Sequence, residues 1–428
     1  MREINKDIVV IGAGPAGLAA AVAAHDAGVT DIVVLERDEY AGGILNQCIH
    51  NGFGLHTFGE ELTGPEYAAR FWEKARERGI ECVFETTVLS VGADKCVTAV
   101  GRDGIVKYRA KSVIFACGCR ERPRGAINIA GTRPAGVFSA GTAQRLINID
   151  GQRITGDGGK VFILGSGDIG LIMARRMVFE GARVVGVAEL MPYSSGLRRN
   201  IAQCLDDFSI PLYFNTTIVD IKGRERLTGV TIATVDENKK PIRGSERDIE
   251  CDTLLLSVGL LPENELARSA GVGMSRVTGG ASVDDSFMTD VDGIFMCGNC
   301  LHVHDLVDFV SAESGACGAA AAEYVKACGG SAERGLVRVV TSGGLRYCVP
   351  QDVRRSGGGK LTLRMRVDGV YRKCRISVRA DGEEVYSKPR PIVAPGEMET
   401  LELSESVSDR LRRAEKIELV LEKAVNNG

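Results

Sequence analysis

The sequence predicts an α/β protein made of two copies of a strand–turn–helix–strand unit, one inserted into the other, with a small β-rich module at the C-terminal end. Three observations carry this. "VVIGAGPAGLAA" (Val9 to Ala20) and "VFILGSGDIGLIMA" (Val161 to Ala174) each run from an apolar strand into three glycines and then into a helix-like run. In both copies a glutamate stands nineteen residues past the third glycine, Glu36 after Gly17 and Glu189 after Gly170. Beyond about residue 335 the pattern switches to alternation of apolar and polar residues, the period of a half-buried strand.

The first unit begins with "DIVVI", rich in β-branched residues and read as a buried strand. Gly12, Gly14 and Gly17 follow as G-x-G-x-x-G, with Pro15 and Ala16 opening a helix that ends at Gly28. The strand "DIVVLE" then delivers Glu36, with Arg37 next to it. Strand, glycine turn, helix, strand and acid in this order form the Rossmann-like dinucleotide fingerprint. Gly12 permits the tight turn, Gly14 lets a pyrophosphate approach the backbone, and Gly17 lets helix and strand pack closely. The helix N-terminus offers free N–H groups to the phosphates. Glu36 can accept hydrogen bonds from a ribose.

The second unit repeats every part. "KVFIL" is the strand; Gly165, Gly167 and Gly170 are the turn; Asp168 and Ile169 open the helix; and "RVVGVAE" ends at Glu189. Two fingerprints imply two dinucleotide sites, although a copy that no longer binds is the competing reading of the second. A carboxylate at the ribose position suits a free 2′-hydroxyl and repels a 2′-phosphate, which favours NAD over NADP. Arg198 and Arg199 lie near enough in sequence to oppose that preference.

Size and composition bound the rest. At roughly 150 residues per domain, 428 residues suggest two to four domains. A net charge of -3 makes no electrostatic case for nucleic acid or an anionic membrane. No apolar run has the length of a membrane span. "MREINKDIVVIGAGPAG" has no apolar h-region with a cleavage site, so no signal peptide is expected and the cytoplasm is the expected location. The 13 cysteines are odd in number and scattered, a pattern of reduced thiols. Only "CGNC" (Cys297, Cys300) has redox-like or metal-like spacing, and no second pair completes a zinc site, so no metal is expected.

With these motifs the chain resembles the two-dinucleotide-binding flavoproteins, the pyridine nucleotide-disulfide oxidoreductase superfamily, over about residues 5 to 328. "VIFACGCRERP" (Val113 to Pro123) looks like the strand where the family's chain leaves the FAD domain. "LLLSVGLLPENEL" (Leu254 to Leu266) looks like the segment closing its NAD domain. "ASVDDSFMTDVDGIFMCGN" (Ala281 to Asn299) looks like its second FAD signature, which usually ends in Gly-Asp. Here Asn299 replaces the Asp that contacts the ribityl chain in the family, keeping hydrogen bonding without the charge. The resemblance implies FAD and NAD as cofactors. Beyond the fingerprints it implies FAD contacts at Gly43, Ile44, Leu45, Val88, Ala116, Cys117, Gly118, Gly298 and Asn299, and an NAD contact at Gly259. It also implies an FAD domain of residues 1–124 and 281–330 and an inserted NAD domain of residues 125–280, and an oligomer is expected.

One departure matters for function. The family's catalytic disulfide follows a Gly-Gly pair as C-x-x-x-x-C, whereas "GGILNQCIHNGFGLH" (Gly42 to His56) holds only Cys48. The disulfide-reductase reaction is therefore not supported. More narrowly, this stretch, "RERPRG", "AGTRPAGVFSAGTAQ" and "GNCLHVHDLVDFV" look like a bacterial subgroup that accompanies FAD-dependent glycerol-3-phosphate dehydrogenases. Related chains are the larger subunits of opine, proline and cyanide-forming amino-acid dehydrogenases, which implies an FAD-dependent dehydrogenase as a partner chain. Some of those carry an iron–sulfur cysteine cluster; Cys317, Cys328, Cys348 and Cys374 are too irregularly spaced for a local one.

Hydride transfer belongs to the flavin and nicotinamide, so the protein's contribution is positioning and tuning. Cys48 is a candidate thiolate acceptor or charge-transfer partner, with a buried packing cysteine as the alternative. His50 and His56 flank the same loop. His302 and His304 follow Asn299, at an expected helix start where a positive dipole or a histidinium would stabilise an anionic reduced flavin; His304 is the candidate catalytic residue of the pair. Cys297 and Cys300 are a second candidate redox pair, in a stretch whose backbone is committed to the FAD signature.

"ACGGSAERG" (Ala327 to Gly335) reads as a linker. After it, "KLTLRMRV", "CRISVRADGEEVYS", "METLEL" and "KIELVLEK" make residues 335–428 a small antiparallel β module with a hairpin turn at Asp381-Gly382. Its single apolar face must be covered, by the flavoprotein body or by a partner chain. Three functions stay open: electron transfer between NAD(H) and a second redox partner or small acceptor, a nucleotide-holding subunit of a dehydrogenase complex, and a Cys48-dependent thiol or peroxide reductase.

Overall fold

The computed structural model describes residues 2–156, 158–327 and 335–423. Most of the expected linker, residues 328–334 with Cys328, lies outside the described residues. The chain forms two compact units: Met1–Cys119 with Pro262–Gly428, and Arg120–Leu261.

The first unit is built on a sheet in the order Glu81–Val83, Ile32–Leu35, Arg2–Ile11, Gly104–Phe115, Cys96–Gly101, Thr87–Val91. The strands from Glu81–Val83 to Gly104–Phe115 run parallel, with Ile8 opposite Ile32 and Val10 opposite Ile114. Gly104–Phe115 is long enough to serve two partners on its far edge. Its first half pairs antiparallel with Cys96–Gly101, and its last three residues pair parallel with Ile294–Met296. That second pairing brings the Gly298–Asn299 signature to the same sheet end as the first glycine turn. The strands Ile8–Ile11 and Ile32–Leu35 are buried on both faces, which is why they read as unbroken apolar runs. The helices Pro15–Asp26 and Val307–Lys326 cover one face, packed on each other through alanines and glycines. A Cβ on Gly318 would stand 2.0 Å from the Ala20 carbonyl oxygen.

The second unit carries a parallel sheet in the order Val137–Ser139, Thr253–Leu256, Lys160–Leu164, Arg183–Ala188, Leu212–Tyr213. A three-stranded antiparallel sheet, Thr216–Gly223, Leu227–Thr234 and Arg247–Glu250, packs its apolar residues against Phe162 and Leu254.

The C-terminal module differs from expectation in two ways. It is not wholly antiparallel: Leu336–Ser342 and Ile417–Lys423 pair in parallel, and a helix, Glu405–Arg413, sits before the last strand. It also covers its own apolar face. Five strands form one sheet and Leu345–Val349, Leu361–Val367 and Glu399–Leu403 a second, and Val337, Met365, Ile376, Leu401 and Leu419 from the two sheets share one cluster. Alternation in a strand shows that one face is buried but not what buries it. The hairpin falls at Asp381 and Gly382, both with positive φ (50° and 87°), the backbone of a type I′ turn.

The polar edge of the module meets the rest of the first unit. Asp285 accepts from Arg354 Nε and Arg412 Nη1, both at 3.0 Å. Asp305 pairs with Arg366 and accepts from the Met398 N–H at 2.7 Å. Val283 and Gln351 exchange hydrogen bonds at 2.9 and 3.1 Å.

Candidate functional site

The first glycine turn is held from several sides. Gly12 has φ +102°, and a Cβ there would stand 2.7 Å from the Ala116 carbonyl oxygen. A Cβ on Gly17 would stand 1.8 Å from the Gly12 oxygen. Gly14 is different: a Cβ there meets nothing within 4 Å. The open side of the turn is thus the one a pyrophosphate would need. The helix Pro15–Asp26 also lacks a side-chain cap on its first N–H groups, in contrast to Gly64–Glu77, capped by Thr63 and Glu66, and Ala140–Asn148, capped by Ser139. An uncapped helix start above an open turn is the geometry of an anion site.

Glu36 is buried and closes the ring around this turn. Its Oε2 accepts the Ala13 N–H at 2.7 Å and its Oε1 the Asp38 N–H at 2.9 Å. Each oxygen keeps a lone pair for a ribose hydroxyl. The Gly42 N–H donates to the Ala13 carbonyl at 2.8 Å, and a Cβ on Gly43 would touch Gly14 Cα at 3.1 Å, so the stretch Gly43–Gln47 lies against the turn. A Cβ on Gly298 would be 2.7 Å from Ala16 Cβ, and Asn299 Nδ2 reaches Cys119 Sγ at 3.7 Å. The structure therefore gathers Gly12 to Gly17, Glu36, Gly43, Ala116 and Gly298 around one turn. Arg37 and Ile44 are exposed beside it and Leu45 is buried. Cys117 and Gly118 follow Ala116, while Val88 lies two residues past Thr86, whose N–H donates to the Glu36 carbonyl at 2.8 Å.

The second turn has the same frame with a tighter lock. Glu189 Oε2 accepts the Ser166 N–H at 2.9 Å and its hydroxyl at 2.5 Å, and Oε1 accepts the Met191 N–H at 2.9 Å. A Cβ on Gly165 or Gly170 would clash with the Ser257 or Gly165 carbonyl, and the helix Asp168–Phe179 is again uncapped at Gly167. Asp168 Oδ1 is occupied by the Leu197 N–H at 2.8 Å and Asn200 Nδ2 at 2.7 Å. Ser194 Oγ donates to the Ser166 carbonyl at 2.9 Å, which lays residues 194–197 beside the turn. Arg198 and Arg199 open the helix Arg198–Cys204 at the end of that segment. Ile169 is partly exposed on the helix, and Gly259, φ +98°, accepts from the Arg122 N–H at 2.9 Å. Ser166 escapes a motif reading because it occupies a variable position of the fingerprint, and Ser194 because it lies outside it.

A third group lies after Asn299. Glu313, fully buried on the helix Val307–Lys326, accepts from His302 Nε2 at 2.8 Å and from the Gly298 N–H at 3.3 Å. His304 Nε2 lies 3.3 Å and Arg364 Nη1 3.4 Å from the same Oε2. The His304 N–H donates to Asn299 Oδ1 at 3.0 Å, tying the histidine segment to Gly298–Asn299. His302 Nδ1 and His304 Nδ1 are buried without a hydrogen-bond partner among the described residues. Burial pushes His302 down to about 4, with His304 and Arg364 adding to the effect and Glu313 opposing it. Burial alone would raise the Glu313 carboxyl; its imidazole neighbours outweigh that and hold it well below the usual range. Near neutral pH this favours the uncharged imidazole at position 302. Ligand atoms of His302, His304 and Glu313 lie within 4.8 Å of one another. Arg364 already balances the single carboxylate charge, so we read an ion-pair network here and not a metal centre. Glu313 and Arg364 are absent from any motif; a lone acid in the small-residue stretch "SAESGACGAA" was the available signal.

Cys48 follows Gly43–Gln47, half-buried, and its Sγ donates to the Ile44 carbonyl at 3.3 Å. Burial pushes its thiol up to about 12. Cys297 and Cys300 are fully buried free thiols, both directed at the Phe115 carbonyl. His56 stacks on Phe309 at 5.5 Å and His50 packs on Phe53 at 5.0 Å.

Comparison with known proteins identifies the family. The family model described as pyridine nucleotide-disulphide oxidoreductase matches residues 6–333. The glutamate synthase [NADPH] small chain of Mycobacterium tuberculosis is 28% identical over 350 residues, covering 75% of this chain and 67% of that protein. Hydrogen cyanide synthase subunit HcnB of Pseudomonas aeruginosa is 24% identical over 335 residues, covering 73% and 68%. The crystal structure of T. acidophilum thioredoxin reductase superposes with a TM-score of 0.60 at 23% identity, covering 76% of this chain and 99% of the reductase. No helix among the described residues is long and apolar enough to cross a membrane.

Proposed function

The chain belongs to the pyridine nucleotide-disulphide oxidoreductase family and is an FAD-dependent NAD(P)H oxidoreductase; we propose that it passes electrons between NAD(H) and a second redox partner or small acceptor, as a subunit working with a dehydrogenase chain. The observation that carries this reading is the repeated carboxylate lock, Glu36 on Ala13 and Glu189 on Ser166, each below an uncapped helix start.

Bound FAD and NAD(H) supply the hydride chemistry. The chain's residues bind and orient. The open face at Gly14 and the turn at Gly167, where a Cβ would meet the Ser195 and Ser257 hydroxyls at 3.6 and 3.8 Å, would hold the pyrophosphates with the free N–H groups of the two helices. Glu36 and Glu189, already pinned by backbone N–H groups, would present fixed acceptors to the riboses. Ala116 to Gly118, Gly298 and Asn299 would hold the FAD beyond its phosphates, and Gly259 the NAD.

A dehydrogenase partner is supported by relatives named as a small chain and as a subunit, and by the glycerol-3-phosphate-associated motifs. A Cys48-dependent thiol or peroxide reductase is the second reading, favoured by the packing of Gly43 on Gly14 just before Cys48. It requires a thiolate, and a thiol at about 12 is protonated at neutral pH. Anaerobic titration of the yellow protein with NADH is the test. Bleaching of the flavin supports electron transfer, and unbleached flavin with tightly retained nucleotide supports a nucleotide-holding subunit instead.

A further inference from the structure

Glu313 is a single carboxylate with four positive or donating neighbours and no access to solvent. The elements around His302 bring several charged or titratable groups, among them Arg366 of the strand Leu361–Val367, which pairs with Asp305 and whose Nη2 donates to the Val303 carbonyl at 3.1 Å. The segment of His302 itself brings His304, with ring centroids 4.3 Å apart; the helix Val307–Lys326 brings Glu313; the strand Leu345–Val349 brings Tyr347, edge-on at 6.3 Å; and the strand Leu361–Val367 brings Arg364. Of the described groups on Glu313, Arg364 is the one whose charge does not depend on pH, because a guanidinium is not deprotonated in proteins. One negative and one permanent positive charge already balance, and a second cation in that volume would be an unpaired buried charge.

We propose that Arg364, delivered by the C-terminal module, is a positioning residue: by balancing Glu313 it adds to the burial that keeps His302 an uncharged imidazole, whose Nε2–H donates to that carboxylate and whose Nδ1 lone pair stays free as an acceptor. The module is then part of the site that follows Gly298–Asn299, and not only a covering layer. Its relevance to the flavin rests on the function proposed above; the protonation state does not.

The chain has only five histidines, so the ring signals of the FAD-loaded protein with labelled histidine can be resolved by NMR. The His302→Asn variant assigns the His302 signals. In the unmodified protein His302 is expected to stay neutral down to pH 5, with the proton on Nε2. In Arg364→Met the fixed cation paired with Glu313 is gone. The imidazole's midpoint should then rise from about 4 toward the ordinary 6.5, by about tenfold in proton affinity, with burial still opposing the charge. Arg364→Lys should restore the low value. A charged His302 at pH 7 in the unmodified protein overturns the proposal, and that measurement needs no variant to fold. A midpoint that does not move in Arg364→Met overturns it as well, as does one equivalent of a tightly bound metal ion in the purified protein. Failure of NADH to bleach the flavin would sink the electron-transfer reading and leave this one standing.

Discussion

Glu189 takes two hydrogen bonds from one residue, the Ser166 N–H at 2.9 Å and the Ser166 hydroxyl at 2.5 Å. Glu36 has only the Ala13 N–H at the equivalent place, at 2.7 Å. The second carboxylate is therefore oriented by one more donor at the position where a 2′-hydroxyl or a 2′-phosphate would arrive.

NADH should reduce the flavin with a higher kcat/KM than NADPH, because Glu189 accepts from a hydroxyl and repels a phosphate. Glu189→Gln should lower kcat/KM for NADH by about tenfold, the worth of a charge-assisted hydrogen bond of ~1.5 kcal/mol, and narrow the gap to NADPH. Stopped-flow reduction with both nucleotides measures this. An unmodified enzyme that prefers NADPH would shift the argument to Arg198 and Arg199.

Gly14 and Gly17 should fail in different ways. Gly14 has extended backbone, φ −73° and ψ −175°, and space around its Cα. Gly14→Val should therefore fold and purify colourless, because only the pyrophosphate approach is blocked. Gly17→Ala puts a carbon 1.8 Å from the Gly12 oxygen and should not fold at all. Absorbance at the flavin band and thermal melting separate the two outcomes; a yellow Gly14→Val protein removes the site assignment.

Ending the chain at residue 330 should destabilise what remains. Asp285, Asp305 and Glu313 would each lose an arginine partner. Losing one partner of a buried ion pair costs about 3–5 kcal/mol, since the other charge is left uncompensated. The shortened chain is expected to be insoluble or to lose FAD. If it stays soluble and yellow with an unchanged Tm, the module contributes nothing to the first unit.

Cys48→Ser should leave turnover with the physiological acceptor unchanged, and iodoacetamide should label Cys48 slowly at pH 7. Rapid labelling there would contradict a protonated thiol.

The same burial predicts alkaline lability. Cys48, Cys82, Cys117 and Cys251 are each raised from 9.0 to about 12, chiefly by burial. The folded state then holds protons that the unfolded chain releases. The stabilisation is complete below pH 9 and is lost as the pH climbs toward 12. Denaturant midpoints should be flat near neutrality and fall between pH 9 and pH 11; a flat profile up to pH 11 would contradict the raised thiols.

The two glycine turns, Glu36, Glu189 and the Asp381-Gly382 hairpin were legible in the sequence, because each is a local arrangement whose residue types and spacing are set by backbone sterics. What covers a face and what pairs with a buried charge were not. The alternation in Leu361–Val367 showed that Leu363 and Met365 turn inward, but not that a second sheet of the same module meets them. It also put Arg364 and Arg366 on the polar face, which reads as solvent-facing until the fold brings Glu313 and Asp305 to it. His302 is pushed down chiefly by burial, with Arg364 adding to the effect and Glu313 opposing it, and none of these can be read from its own segment. His302 and Arg364 come from different elements, and only tertiary packing places them on one oxygen of Glu313 in a medium without water.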